Sequence, residues 1–191
     1  LVDAALDAAE RTLGDLSDAS VLVVGAGGMG ALAATTVSRR GVGSLVVTNR
    51  RPGRAESLAE RLGAESLPWD EAHEALGGAD IVLSSTGARG HVLPLTAVEA
   101  ARRARAGRAQ VLVDLALPRD IDPQAATLDG ITLLGLGELG ALLSSTGQAP
   151  EVTAAADLVT AEVAEYLTSR MVASVAPTVS ALRRRADEVV R

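Results

Sequence analysis

Four glycines follow an apolar run near the start of the chain, at a spacing suited to binding phosphate. The segment reads Gly25-Ala26-Gly27-Gly28-Met29-Gly30, which is G-x-G-x-x-G. Gly25 permits a tight turn after a strand, Gly27 lets the backbone reach a pyrophosphate, and Gly30 allows a helix to pack against that strand. Free N–H groups at the start of the helix then bind the anion. The position between a strand-like and a helix-like segment predicts dinucleotide binding. The alternatives are a glycine-rich turn without a nucleotide and a methyltransferase of the same fold.

The end of the second strand-like run indicates which dinucleotide is bound. An NAD enzyme usually has a carboxylate there, about 20 residues after the glycines, to bind the ribose 2′-hydroxyl. This chain has Thr48-Asn49-Arg50-Arg51 instead. A guanidinium is a planar, permanently charged donor that suits a 2′-phosphate. The sequence therefore predicts NADPH or NADP, bound by Asn49, Arg50 and Arg51, with a solvated basic turn as the alternative.

Two further loops follow strand-like runs, at the edge where open α/β sheets bind ligands. They read Ser84-Ser85-Thr86-Gly87 and Asp114-Leu115-Ala116-Leu117-Pro118-Arg119-Asp120. We expect backbone groups of Thr86 and Gly87 to contact a ribose, although an ordinary loop would have the same composition. Asp114 is expected to cap the turn that follows it rather than to take part in catalysis.

Groups capable of covalent catalysis are scarce in this sequence. The chain has no cysteine, which excludes thiol nucleophiles, disulfides and zinc–thiolate sites. His91 is near the expected site, but no carboxylate at a recognisable spacing orients it as a general acid. His73 lies in a polar helix and is expected to be solvated. We therefore predict no catalytic residue and no metal ligand in this chain.

Strand-like and helix-like segments alternate along most of the chain. Apolar runs predict strands at residues 20–24, 44–48, 81–84 and 111–114, a weaker strand at 131–134 and a short one at 65–67. The segments between them predict helices at 29–40, 54–62, 70–76 and 96–105. This alternation indicates right-handed βαβ units and a Rossmann-like, doubly wound parallel sheet of the α/β class.

Three parts are expected in the chain. Apolar spacing predicts an N-terminal helix in residues 1–17 that stops near Gly14, followed by an NADP-binding Rossmann domain in 18–149. Residues 150–191 are predicted to form a helical arm, interrupted at Pro177, which needs a partner to bury its apolar side. The run Arg183–Arg185 is interpreted as a solvated face, with contact to RNA in a larger assembly as the alternative.

Composition excludes several classes of function. The net charge of −6 and the near absence of aromatic residues give no basis for binding DNA or RNA through this segment alone. No apolar run approaches the roughly 20 residues of a membrane span. Leu1 stands in place of a starting Met, which we interpret as an excised fragment, and the expected location is cytoplasmic.

The order of the motifs resembles the glutamyl-tRNA reductase family. The glycine loop, Thr48-Asn49-Arg50 and residues 84–88 resemble the family's cofactor loops, and residues 177–183 resemble its P-T-[IV]-x-x-L-R segment. The most specific match is Asp114-Leu115-Ala116-Leu117-Pro118-Arg119-Asp120-Ile121-Asp122-Pro123, which is close to the family's D-[IL]-A-[VL]-P-R-D-[IV]-D-P run. Together these segments cover nearly the whole chain.

The resemblance implies a three-part oxidoreductase that serves tetrapyrrole (porphyrin, 5-aminolevulinate) biosynthesis. An N-terminal catalytic domain attacks glutamyl-tRNA with a cysteine, NADPH reduces the resulting thioester to glutamate-1-semialdehyde, and a helical arm forms a homodimer. Because this chain lacks cysteine, it is expected to bind NADPH without catalysing the reaction, and tRNA would be contacted mainly outside it. Two alternatives stay open. A shikimate-dehydrogenase-like enzyme would need a Lys–Asp pair, but the chain has no lysine, and a non-catalytic NADP-binding module would need no nucleophile.

Overall fold

Helices and strands alternate through residues 1–145, which are the part of the chain that the computed structural model describes. The strands are β1 Ser20–Val24, β2 Ser44–Thr48, β3 Glu65–Leu67, β4 Ile81–Ser84, β5 Gln110–Asp114 and β6 Ile131–Leu134. The helices are α1 Val2–Leu13, α2 Gly28–Arg40, α3 Pro52–Leu62, α4 Ala72–Ala75, α5 Leu95–Ala104 and α6 Leu136–Ser145, with 3-10 turns at Trp69–Glu71 and Pro123–Thr127. The predicted arm in 150–191 lies outside the described residues.

The six strands form one parallel sheet in the order β3-β2-β1-β4-β5-β6. This order confirms the predicted Rossmann-like, doubly wound fold. The register aligns Val24 with Thr48 on one side and with Ser84 on the other, and Ser84 with Asp114. The carboxyl ends of β2, β1, β4 and β5 therefore meet at one edge, where folds of this kind bind ligands.

The sheet is buried on both faces because alternate residues of each central strand point to opposite sides. Val21 and Val23 of β1 belong to the core that α1, α2, α3 and α6 cover. Leu22 and Val24 belong to the core on the other face, under α5 and the segment around Leu76. Small alanines on α2 and α5 fill these layers, as expected for a chain without phenylalanine.

Most predicted elements are present, and two helical segments differ. All six strands occur where the sequence predicts them, and α1 ends at Gly14, whose φ of 85° suits glycine. The single helix predicted for 70–76 is instead a 3-10 turn followed by the four-residue α4, and Pro68, with an extended ψ of 147°, stands directly before the turn. Helix α6 was not predicted from the sequence.

Candidate nucleotide-binding site

The turn between β1 and α2 requires glycine at two positions for steric reasons. Gly25 has φ of 106°, and a Cβ there would lie 2.7 Å from the carbonyl oxygen of Ser85. A Cβ on Gly30 would overlap the carbonyl oxygen of Gly25. The Gly25 amide is fixed by a 2.8 Å hydrogen bond that it donates to the Thr48 carbonyl oxygen. The turn therefore folds tightly against the neighbouring strands and directs the start of α2 towards the sheet edge.

The N-terminus of α2 is open and positively polarised. The helix begins at Gly28, one residue before the predicted Met29, and Gly27 stands at the capping position with no side chain to accept from the first turn. No acidic residue lies in that turn, and a Cβ on Gly27 or Gly28 would meet nothing within 4 Å. Unpaired N–H groups together with the helix dipole make such a terminus suitable for a pyrophosphate.

A cleft of about 420 Å³ lies beside this terminus. It is lined by Gly27, Asn49, Arg50, Arg51, Arg54, Trp69, Ser85 and Thr86. A second cleft of about 440 Å³ shares Gly27 and Arg54 and includes Ala26 and Gly28. Of the other residues predicted for the site, Gly25 and Gly30 are buried in the turn, while Met29 and Gly87 are exposed and line neither of these clefts.

Three guanidiniums gather at the β2 side of the first cleft. Arg50 and Arg51 follow β2, as predicted, and Arg54 joins them from the first turn of α3. All three are exposed, and none of them forms an ion pair with another residue in the described part of the chain. Their charges are therefore available to an anion. Arg54 was missed; Pro52 marks the start of α3, but the direction of the Arg54 side chain depends on how that helix packs beside β2.

Asn49 acts as a brace between two loops. Its Oδ1 accepts a 3.2 Å hydrogen bond from the Ala26 amide, and its Nδ2 donates a 3.0 Å bond to the Arg51 carbonyl oxygen. Both ends of the side-chain amide are thus used within the protein. This arrangement ties the glycine turn to the arginine-bearing loop, and Asn49 also lines the first cleft, with one further donor and one further acceptor site on its amide.

Thr86 reaches the cleft at the end of β4, but its amide and hydroxyl are already bonded. The amide donates to Asp120 Oδ2 at 2.6 Å, and the hydroxyl donates to Asp120 Oδ1 at 2.6 Å. The carbonyl is then the backbone group of Thr86 with which a ribose could pair. Gly87 follows with φ of 64°, a left-handed conformation in which a side chain would be strained.

Asp114, His91 and His73 lie outside the two clefts. Asp114 caps the turn after β5, as predicted, because its Oδ1 accepts from the Ala116 amide and its Oδ2 from the Ile121 amide, both at 3.0 Å. His91 Nδ1 lies 3.7 Å from Asp122 Oδ2, which is longer than a hydrogen bond, so this carboxylate is near His91 without a bond that would orient it as a general acid. His73 is exposed, as expected, and its Nε2 also lies 2.8 Å from the Val92 carbonyl oxygen.

The described residues offer neither a metal site nor a membrane span. Within 1–145, no group of three or more His, Asp or Glu residues is arranged to hold a metal ion. In the same part of the chain, no helix combines the length and apolar character needed to cross a membrane.

Comparison with known proteins places this geometry in a family. Residues 7–142 match the family model described as shikimate / quinate 5-dehydrogenase. Over 190 residues, which is 100% of this chain, it is 47% identical to glutamyl-tRNA reductase 1 of Nocardioides sp. and 45% identical to glutamyl-tRNA reductase of Kineococcus radiotolerans. It spans 44% and 43% of the lengths of those two proteins.

A solved structure gives the same indication. The glutamyl-tRNA reductase from Methanopyrus kandleri superposes with a TM-score of 0.68 and 32% identity, over 99% of this chain and 50% of that one. The resemblance to glutamyl-tRNA reductase that the motifs predicted is thus confirmed in sequence and in fold. The chain belongs to the shikimate / quinate 5-dehydrogenase family, and over its whole length its relatives include glutamyl-tRNA reductases.

Proposed function

We propose that this chain is the NADPH-binding segment of a glutamyl-tRNA reductase, which reduces glutamyl-tRNA to glutamate-1-semialdehyde for tetrapyrrole synthesis. The observation that carries the cofactor assignment is the cleft, which has an uncapped helix N-terminus at one side and, at the other, three arginines that form no ion pair within residues 1–145. Its volume of about 420 Å³ lies within the range of small-molecule sites. The 47% and 45% identities to two named reductases over the whole chain support the reaction.

The residues of the cleft fit the parts of NADPH. The first-turn amides of α2 and the bare backbone at Gly27 suit the pyrophosphate. Arg50, Arg51 and Arg54 suit the 2′-phosphate, because guanidiniums form strong charge-assisted bonds to phosphate oxygens. Trp69 provides a flat apolar wall for the adenine. NADPH, when bound, supplies the hydride, and the protein groups bind and orient it.

The absence of cysteine limits which step of the parent enzyme's reaction this chain can perform. Without a cysteine it has no thiolate to form a thioester, so we propose that the nucleophile and most tRNA contacts belong to another part of the parent enzyme. The segment boundaries 1–17, 18–149 and 150–191, the pairing of the arm as a homodimer and the cytoplasmic location remain predictions.

The cofactor assignment is tested by titrating the 191-residue chain with NADPH and with NADH. We expect NADPH to bind at least tenfold more tightly, because one charge-assisted bond to the 2′-phosphate is worth roughly 1.5–3 kcal/mol. Equal affinities for the two cofactors would refute the role given to the three arginines. The chain alone should not consume NADPH when glutamyl-tRNA is added.

The reductase assignment is tested by exchanging segments. The aligned segment of the Nocardioides reductase is replaced by this chain, and oxidation of NADPH is followed with and without glutamyl-tRNA. We expect oxidation that depends on glutamyl-tRNA. A chimera that folds and binds NADPH but shows no such oxidation would instead favour a non-catalytic NADP-binding module.

A shikimate-type oxidoreductase is the second candidate, and the family model that matches residues 7–142 favours it. That chemistry needs a Lys–Asp pair, which would have to come from outside this chain because the chain has no lysine. The discriminating measurement is reduction of NADP⁺ by shikimate or quinate in the same chimera. We expect none, and a rate above that of a chimera without substrate would favour this second candidate.

A further inference from the structure

The run 114–123, which carries the most specific family resemblance, folds into a loop that is bonded to itself. Asp114 is 2% exposed, and besides its two bonds to Ala116 and Ile121 its Oδ1 accepts a 3.3 Å bond from the Asp120 amide. Asp122 accepts from the Gln124 amide at 2.9 Å and begins the following 3-10 turn. These bonds fix the loop so that the side chain of Asp120 is directed towards the end of β4.

The Asp120 carboxylate is completely buried and forms three hydrogen bonds to the β4 loop. It accepts from Ser84 Oγ at 2.8 Å, from the Thr86 amide at 2.6 Å and from Thr86 Oγ1 at 2.6 Å. No ion pair to Asp120 occurs within residues 1–144. A buried carboxylate is costly unless donors surround it, so these three bonds hold the corner of Ser85, Thr86 and Gly87 in place.

The position of this corner decides which half of a dinucleotide it meets. The arginines follow β2, the phosphate-binding turn follows β1, and the corner follows β4, on the side of β1 away from β2. In a Rossmann-like fold the pyrophosphate lies across the β1 turn, so the two halves of the dinucleotide lie on opposite sides of it. If the 2′-phosphate binds at the arginines, the β4 corner faces the nicotinamide half.

We propose that Asp120 is a positioning residue that holds the corner of Thr86 and Gly87 ready for the nicotinamide half of NADPH. This inference rests on the proposed function. Asp120 does not touch the cofactor, because its side chain is buried behind Thr86 and bonded to it. Its effect on binding comes from keeping the corner in one conformation, so that binding loses less conformational entropy than it would with a disordered corner.

The test compares two ligands and three variants of the 191-residue chain. The ligands are NADPH and adenosine 2′,5′-bisphosphate, which lacks the nicotinamide half. Asp120→Ala removes all three bonds, and the isosteric Asp120→Asn carries one acceptor oxygen in place of two. Asp122→Asn is the matched control, because it lies in the same run, can still cap the Gln124 amide, and has no bond to the β4 loop.

We expect Asp120→Ala to weaken NADPH binding about tenfold, which corresponds to a corner that adopts its binding conformation a tenth of the time. The affinity for the bisphosphate should change by no more than about twofold. Asp120→Asn should show a smaller loss of the same selectivity, and it decides the question if the alanine variant does not fold. Equal weakening of both ligands would indicate general damage and would overturn the proposal, as would no weakening of either.

Hydrogen exchange supplies a readout that needs no ligand. In the unmodified chain and in Asp122→Asn, the Thr86 amide should exchange slowly, whereas in Asp120→Ala it should exchange at least tenfold faster while β4 itself stays protected. Unchanged exchange at Thr86 would overturn the proposal. Absence of NADPH binding by the unmodified chain would instead overturn the proposed function, which keeps the two failures distinguishable.

Discussion

Replacement of Arg50 by alanine gives the most direct test of cofactor choice. Its guanidinium lines the cleft and has no carboxylate partner among the described residues, so a 2′-phosphate would be its principal anion. A charge-assisted hydrogen bond contributes roughly 1.5–3 kcal/mol. Because Arg50 is exposed, screening by water and salt favours the lower end, which corresponds to about a tenfold loss of NADPH affinity. Arg51 and Arg54 remain, so binding should weaken without being abolished.

The assay is calorimetric titration of Arg50→Ala with NADPH and with NADH, at low and at physiological salt. We expect NADH affinity to change less than about twofold, because NADH lacks the phosphate, and the NADPH loss to shrink as salt is raised. Arg39→Ala is the matched control, since Arg39 is an exposed arginine in the last turn of α2, at the opposite end from the cleft. Equal losses for both cofactors, or an equal effect of Arg39→Ala, would refute the reasoning.

Three further predictions concern the turn, the adenine side and the opposite edge of the sheet. Gly30→Ala should lower the free energy of unfolding by about 2 kcal/mol or more, because the new Cβ would overlap a backbone oxygen. Gly53→Ala is the control and should not lower it, because the space around Gly53 is open; thermal denaturation of the two variants measures the difference. Trp69→Leu should weaken the binding of adenosine 2′,5′-bisphosphate about fivefold or more, because stacking on the ring is lost. Trp69→Phe should bind it nearly as well as the original chain, and equal calorimetric affinities for the two variants would count against stacking. Burial of Asp80 acts to raise its pKa, but the Ser20 amide and the guanidiniums of Arg105 and Arg108 outweigh it and lower the pKa below the ordinary value. The carboxylate therefore stabilises the fold above about pH 4, the unfolded-state pKa, and this contribution is lost as pH falls through the lower folded-state pKa. Asp80→Asn should accordingly destabilise the protein at pH 7, by less than the roughly 3–5 kcal/mol typical of breaking a fully buried pair because the Asp80 side chain is 22% exposed, and denaturant unfolding curves at pH 7 and pH 3 should show the difference shrinking in acid.

The sheet could be read from the sequence because of how it is buried. Strands covered on both faces appear as continuous apolar runs, and Ser20–Val24 and Ile81–Ser84 carry that signal plainly. Helix α6 lacks a comparable signal, since Gly137 and Gly140 lie within it and glycine is a poor helix former. Its start is stabilised by a bond from the Gly135 amide to Glu138 Oε2 at 3.0 Å, a local feature that the apolar pattern does not reveal.

The cleft could be predicted only where its residues belong to a motif. The glycine turn and the Asn-Arg strand end have spacings that follow from the shape of a dinucleotide, and the sequence identified Arg50 and Arg51 from them. Trp69 and Ser85 have no such spacing. They reach the cleft because β3 pairs beside β2 and β4 beside β1, so their contribution depends on strand order rather than on any local pattern.

Asp120 bonds to residues that are far from it in sequence, Thr86 at 34 positions and Ser84 at 36, and no local pattern predicts these bonds. The order of the strands nevertheless explains why the two loops meet. Two adjacent parallel strands end at the same edge, so the loops after β4 and β5 lie side by side, and buried donors of the first can bond to acceptors of the second, as Ser84 and Thr86 do to Asp120. A carboxylate in the loop after β5 can therefore affect cofactor binding through the hydroxyl and amide groups that it holds at the end of β4. If Asp120 acts in this way, one residue of the segment that carries the most specific resemblance shapes the site without itself contacting the cofactor.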